Sequence, residues 1–261
     1  MELLDGVPAI LAGNFVGAYL FGSLTTGDFD QASDIDVVFV TDGEVSGAQF
    51  AALESLHTRI AESESPWATE MEVSYIPRGA LRRFDPAATV HPRLDRGKGE
   101  RLYWMSHDRD WIVQRHLLRE RGVSLDGPPP HELIDPVSPD DMRCAMPYVM
   151  REWGEPRLTD SAILQNRGYQ SFMVLSLCRI LYTLQTGEVV SKPAAATWAR
   201  ENLGEQWAPL IDRATAGRQV PREESEPRDV QGTLDFIRLA IDRSKEFENS
   251  EGRKYAGREG D

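Results

Sequence analysis

The sequence predicts an α/β domain followed by an all-α helical bundle, and three observations carry that prediction. Two apolar runs rich in β-branched and aromatic residues, 15–21 and 35–40, read as buried strands and precede a helically spaced segment and a third strand. A break then falls at Asp126-Gly127-Pro128-Pro129-Pro130. Beyond it helical spacing dominates to the C-terminus. The boundaries drawn on this pattern are 1–130 for the first domain and 131–261 for the second.

Taken in order, the first strand, Phe15 to Phe21, ends in Gly22-Ser23. A short polar connection, Leu24 to Ser33, leads to a second strand at Ile35 to Val40, which Thr41-Asp42-Gly43 closes as a turn. Residues 47–63 carry Phe50, Leu53, Leu56 and Ile60 at helical spacing and are expected to cover one face of the sheet. Glu70 to Ile76 reads as a third strand stopped by Pro77. The pattern from there to about residue 130 is mixed, with one helical stretch at Trp111 to Glu120. Helices are expected at 139–152, 163–186, 193–202 and 229–247, and the charged tail from Glu248 reads as frayed.

Bulk properties narrow the function. The longest apolar stretch, Phe172 to Leu184, contains Arg179 and is too short for the roughly 20 apolar residues of a membrane span. The start, Met1 to Asp5, has no basic region before its apolar residues, which argues against a secretory signal. Cys144 and Cys178 lack CxxC spacing and are expected to be free thiols in a reducing cytoplasm. The formal net charge of −13 argues against a nucleic-acid partner. That charge is uneven: residues 1–80 hold thirteen acidic and two basic groups, Arg59 and Arg78, whereas the remainder holds 29 acidic and 27 basic. A solvated face explains the acidic third, and so does a field that attracts metal cations or a polycationic substrate.

Chemistry concentrates at Asp34 and Asp36. Side chains at i and i+2 of a strand share a face, so both carboxylates point to one spot, and hard oxygen ligands of this kind suit Mg²⁺. Asp-x-Asp alone is common in surface turns. Gly22-Ser23, ending the preceding strand, adds specificity: glycine permits close backbone approach to a phosphate, and Ser23 adds a hydroxyl. Ser33 supplies a further hydroxyl or caps a turn. A third acid is expected on the 70–76 strand, where Glu70 and Glu72 share a face. Position favours Glu72, as metal ligand or as base for an attacking hydroxyl.

These residues resemble the nucleotidyltransferase superfamily that includes DNA polymerase beta and the aminoglycoside nucleotidyltransferases: Gly22-Ser23, a spacer, then Ser33-Asp34-Ile35-Asp36. The chain is similar to the streptomycin and spectinomycin adenylyltransferases through Glu72 to Ile76, Gly127-Pro128, Glu132 to Val137, Leu177 to Tyr182, Thr186-Gly187-Glu188 and Lys192 to Ala199. The resemblance implies a nucleotidyltransferase domain with a mixed sheet and flanking helices, then a helical C-terminal domain. It also implies that Asp34 and Asp36 bind magnesium, that Glu72 is the base, and that Arg179 and Lys192 contact ATP phosphates. The residues themselves agree on the last pair, because the first 80 residues offer a triphosphate almost no positive charge. Arg179 interrupts the most apolar helix, and Lys192 follows Ser191 at a helix start, where a cation is disfavoured. The alternative pairs Arg179 with a core carboxylate and leaves Lys192 solvated.

Two departures qualify the resemblance. About fourteen residues precede the first strand where relatives have a full helix, so that helix is expected to be missing or cut short. The stretch 77–110 aligns poorly, and Gln165 stands near the place of a streptomycin-handling acid, which favours spectinomycin over streptomycin. Trp104, Trp111 and Trp153 are pocket or core residues. The implied reaction is Mg²⁺-dependent transfer of AMP from ATP to a hydroxyl of a cationic aminoglycoside or aminocyclitol, by a monomer. Two alternatives stay open: another acceptor (a metabolite or a protein hydroxyl), or a non-catalytic nucleotide-binding module.

Overall fold

A computed structural model of the chain describes residues 2–26, 29, 33–85, 87–107 and 111–256, without the side chains of Thr26 and 248–256. It divides into two compact units, Met1–Pro136 and Val137–Asp261. Half of the polar connection after Ser23, at residues 27, 28 and 30–32, lies outside the described residues, as do 257–261.

The first unit is built on a six-stranded mixed sheet. Its strands are β1 (Phe15–Phe21), β2 (Ile35–Thr41), β3 (Met71–Pro77), β4 (Val90–Leu94), β5 (Tyr103–Ser106) and β6 (Val123–Asp126), in the order β5-β4-β3-β2-β1-β6. Only β2 and β3 run parallel; every other neighbouring pair is antiparallel. The helices are α1 (Glu2–Leu11), α2 (Ser23–Thr26), α3 (Gly47–Ala61), α4 (Arg78–Arg82), α5 (Ile112–Arg121) and α6 (Pro130–Leu133). A parallel pair needs a crossover, and α3 supplies it, entered through a capping box of Ser46 and Gln49.

Helices flank the central strands on both sides. Val37, Phe39, Val73 and Tyr75 pack with Val7 and Leu11 of α1 and Leu53, Leu56 and Ile60 of α3. Tyr19, Phe21, Val38, Val40 and Ile76 pack instead with Ala80, Leu81, Trp111 and Leu118. Burial on both faces explains why β2 reads as an unbroken apolar run. The N-terminal helix, expected to be missing or cut short, is present as the ten-residue α1, which buries Val7 and Leu11 against α3. The mixed stretch after β3 resolves into the β4–β5 hairpin and α5. Trp111 belongs to the core, whereas Trp104 is exposed and stacks on Phe50 at 5.2 Å.

The second unit comprises α7 (Pro139–Val149), a π-helical turn (Met150–Gly154), α8 (Glu155–Thr159), a 3₁₀ turn (Ala162–Gln165), α9 (Arg167–Thr186), α10 (Lys192–Asn202), α11 (Ala208–Gly217) and α12 (Pro227–Ala256). The segment 163–186 is therefore not one helix. Asn166 breaks it, its side chain accepting from the Tyr169 N–H to cap α9. α9 is buried along most of its length and packs against α7, α10, α11 and α12. It ends at Gly187, whose φ of +77° forms a left-handed cap and whose missing side chain makes room for Pro139. α12 continues past Glu248 to Ala256, where fraying was expected. No described helix is long and apolar enough to cross a membrane. Neither Cys144 nor Cys178 is in a disulfide; burial pushes the thiol of Cys178 up to about 12.

The buried histidines make the first unit acid-sensitive. His57 of α3 has Nε2 2.7 Å from the Tyr75 hydroxyl, and burial lowers its pKa to about 4. The unfolded chain takes up the proton near pH 6.5, so stability is full above that value and falls as the pH drops toward 4. Each such group can contribute about 1.4 kcal/mol per pH unit. His107 and His91 are lowered too, first by burial. Thermal melts should show Tm falling through this window, with a shallower slope for His57→Gln; parallel slopes would exclude His57 as a contributor.

Candidate active site

The site is assembled by sheet register. Asp36 lies opposite Phe21 of β1 and opposite Glu72 of β3. Asp34 precedes β2 by one residue and Glu72 is the second residue of β3, so the acids cluster where these parallel strands begin. Asp36 and Glu72 share the parity of Val38, Val40 and Ile76, which places them on the α4–α5 face.

Gly22 has a reason for being glycine that the sequence did not disclose. Its φ is +70°, and a Cβ there would sit 1.9 Å from Asp36 Oδ2. The glycine therefore makes room for a predicted metal ligand as well as for backbone approach. Its carbonyl accepts from the Thr25 N–H at 3.2 Å and the Thr25 hydroxyl at 3.1 Å, closing the turn that opens with Ser23. Ser33 is buried just before Asp34.

Sequence reasoning missed two arginines here. Arg93 of β4 forms an ion pair with Glu72, and its Nε donates to Asp95 Oδ1 at 2.6 Å. Arg96 reaches Glu70 Oε2 at 3.2 Å and Asp34 Oδ2 at 3.9 Å. Glu70 itself falls outside β3, and its carbonyl accepts from the Ile35 N–H. Positive charge, almost lacking in residues 1–80, therefore also enters the first unit at 93–96, which supplies two guanidinium groups. The Arg-Leu-Asp-Arg spacing was the available signal, hidden in a poorly aligned stretch.

Burial raises the Glu72 carboxyl above its ordinary range, with Asp34 and Asp95 adding to the rise and Arg93 opposing it. A carboxylate so placed is suited to accept a proton. Among the described residues no three His, Cys, Asp or Glu side chains are grouped to hold a metal. The donors offered to one are the carboxylates of Asp34 and Asp36. That set fits Mg²⁺, which keeps waters and shares its shell with one or two carboxylates and substrate phosphates.

Arg179 and Lys192 belong to the second unit. Arg179 is half-buried on α9, seven residues after Phe172 and so on the same helix face. Lys192 opens α10 behind its Ser191 cap, and its Nζ lies 4.1 Å from the centre of the Phe172 ring. The two cations therefore border one stripe of α9. Trp153 meets Phe172 edge-on at 6.0 Å, and Gln165 is exposed on the 3₁₀ turn.

Comparison with known proteins agrees with this architecture. Residues 11–90 match the nucleotidyltransferase domain, and residues 132–241 match the C-terminal domain of aminoglycoside adenylyltransferase. The chain is 26% identical over 252 residues to an aminoglycoside (3'') (9) adenylyltransferase of Escherichia coli, covering 92% of each. It is 27% identical over 250 residues to a spectinomycin 9-adenylyltransferase of Campylobacter jejuni, covering 92% of this chain and 93% of the relative. A crystal structure of spectinomycin adenyltransferase from Enterococcus faecialis, with ATP and spectinomycin, shares the fold with a TM-score of 0.69 at 15% identity, over 94% of this chain and 97% of that one. The chain thus matches, in order, a nucleotidyltransferase domain and the C-terminal domain of aminoglycoside adenylyltransferase, and it is similar to adenylyltransferases over nearly their whole length.

Proposed function

We propose that the protein transfers AMP from ATP to a hydroxyl of an aminocyclitol or aminoglycoside antibiotic, with spectinomycin favoured over streptomycin, and so confers resistance. The observation that carries this reading is the row of acids at the start of β2 and β3, with Gly22 shaped around Asp36. Asp34 and Asp36 would hold Mg²⁺, which when bound supplies positive charge to the α-phosphate and the departing pyrophosphate. Gly22, Ser23 and Ser33 would receive the triphosphate, and Arg179 and Lys192 of the second unit would contact its phosphates. Glu72 takes the proton of the attacking hydroxyl as the α-phosphate bond to that oxygen forms and the bond to pyrophosphate breaks. The acidic surface of residues 1–80 draws in and orients a cationic acceptor.

ATP and spectinomycin in the Enterococcus structure support the nucleotide and the acceptor class. A monomer acting in the cytoplasm, where ATP is abundant and thiols stay reduced, suits this role. The test is pyrophosphate release from purified protein with ATP and Mg²⁺, measured drug by drug. Spectinomycin-dependent release is expected. No release with any aminocyclitol or aminoglycoside, under conditions where ATP binds, would overturn the acceptor assignment.

A further inference from the structure

The register of the sheet places more than the acids on the reacting face. Ser74 lies opposite Arg93 across β3 and β4, and Arg93 lies opposite Tyr103 across β4 and β5. Glu72 and Ser74 share a face, so Glu72, Ser74, Arg93 and Tyr103 form a row running from the base to the sheet edge. Within it the Arg93 fork is engaged at all three nitrogens. Nη2 donates to Glu72 Oε2, Nη1 donates to Ser74 Oγ at 3.2 Å, and Nε donates to Asp95 Oδ1 at 2.6 Å. The second oxygen of Asp95 accepts from the Tyr103 hydroxyl at 2.6 Å. The guanidinium is largely buried, its side chain 15% exposed, so its orientation is set by these partners rather than by water.

We propose that Arg93 is the positioning residue of the reaction: it fixes the Glu72 carboxylate through Oε2 and leaves Oε1 for the acceptor hydroxyl, while Asp95 and Tyr103 hold Arg93 in place. This rests on Glu72 being the base. A planar fork does what a point charge cannot, because three bonds at fixed angles determine where the bound carboxylate faces. A base must lie within hydrogen-bond reach of the proton it takes, so a carboxylate released to other rotamers loses turnover without loss of substrate binding. Partners of this kind typically cost 10- to 100-fold in activity when removed.

The test compares Arg93→Gln, Arg93→Lys, Asp95→Asn and Glu72→Gln in the pyrophosphate-release assay with Mg-ATP and spectinomycin. Arg93→Gln is expected to lose roughly 10- to 100-fold in kcat, with KM for ATP and spectinomycin little changed. Added guanidinium ion should recover part of the loss. Arg93→Lys should recover little, and Asp95→Asn should show a smaller loss. Combining Arg93→Gln with Glu72→Gln should cost no more than Glu72→Gln alone, because the arginine acts through the glutamate. Wild-type kcat in Arg93→Gln beside an inactive Glu72→Gln overturns the positioning role, and so does a loss confined to KM. Wild-type turnover in Glu72→Gln instead overturns the base assignment on which it stands. Should Arg93→Gln fail to fold, Asp95→Asn carries the same comparison. A crystal structure of Asp95→Asn reads the point without turnover: Glu72 should change rotamer, and an unmoved Glu72–Arg93 pair would sink the proposal.

Discussion

Asp36→Asn is expected to lower kcat for adenylyl transfer by at least about 10³-fold, since a bound metal supplies several kcal/mol of transition-state charge stabilisation. The substitution keeps the size of the side chain and its place opposite Phe21 and Glu72, so the melting temperature should hold. It removes one of two anionic ligands presented together on the sheet. Gly22→Ala should produce the same defect from the other side. Its methyl would sit 1.9 Å from Asp36 Oδ2, at a φ of +70° that alanine adopts only at a cost of about 1–3 kcal/mol. The carboxylate or the turn must then move. Activity within tenfold of wild type in Asp36→Asn would remove Asp36 from the site, whereas full activity in Gly22→Ala would show that the turn can relax without it.

The second large effect falls on stability. Asp229, at the start of α12, is fully buried between Arg167 of α9, at 2.5 Å, and Arg213 of α11, at 2.6 Å. Burial raises its carboxyl, but the hydrogen bonds from the two arginines outweigh that and hold it below the ordinary carboxylate range. One carboxylate thus ties three helices together. Asp229→Ala leaves two guanidinium groups facing an empty, desolvated place and should destabilise the second unit by about 3–5 kcal/mol. Denaturant melts followed by far-UV circular dichroism would measure it, and a loss under 1 kcal/mol would mean that water reaches both arginines. The pair's contribution is complete above the ordinary Asp pKa and is lost as the pH falls below it, so wild type and variant should converge in acid.

Legibility in the sequence followed locality. β2 and α3 were readable because each carries its own pattern, an apolar run rich in β-branched residues and an apolar stripe at helical spacing. Asp34 and Asp36 were readable because two residues on one strand share a face without help from the rest of the chain. The β4–β5 hairpin was not, since Val90 to Leu94 contains His91, Pro92 and Arg93 and resembles a loop until β3 pairs with it. Arg93 accordingly escaped notice: its meaning lies in a partner twenty-one residues away that only register supplies. Glu70 was read as sharing the strand with Glu72, though position favoured Glu72, and the strand begins one residue too late to include it. The break at Asn166 was obscured because the residues on either side of it continue a helical apolar spacing.

The crossover between β2 and β3 has a further consequence. α3 returns the chain along the face opposite the acids, so the helix that links the two aspartates to Glu72 does not cover them. Engineering can therefore separate what may be altered from what may not. The surface-exposed positions of α3, among them Ser55, Thr58 and Ala61, are open to labels or tethers, and a probe placed there would report on the enzyme without standing in the way of its substrates.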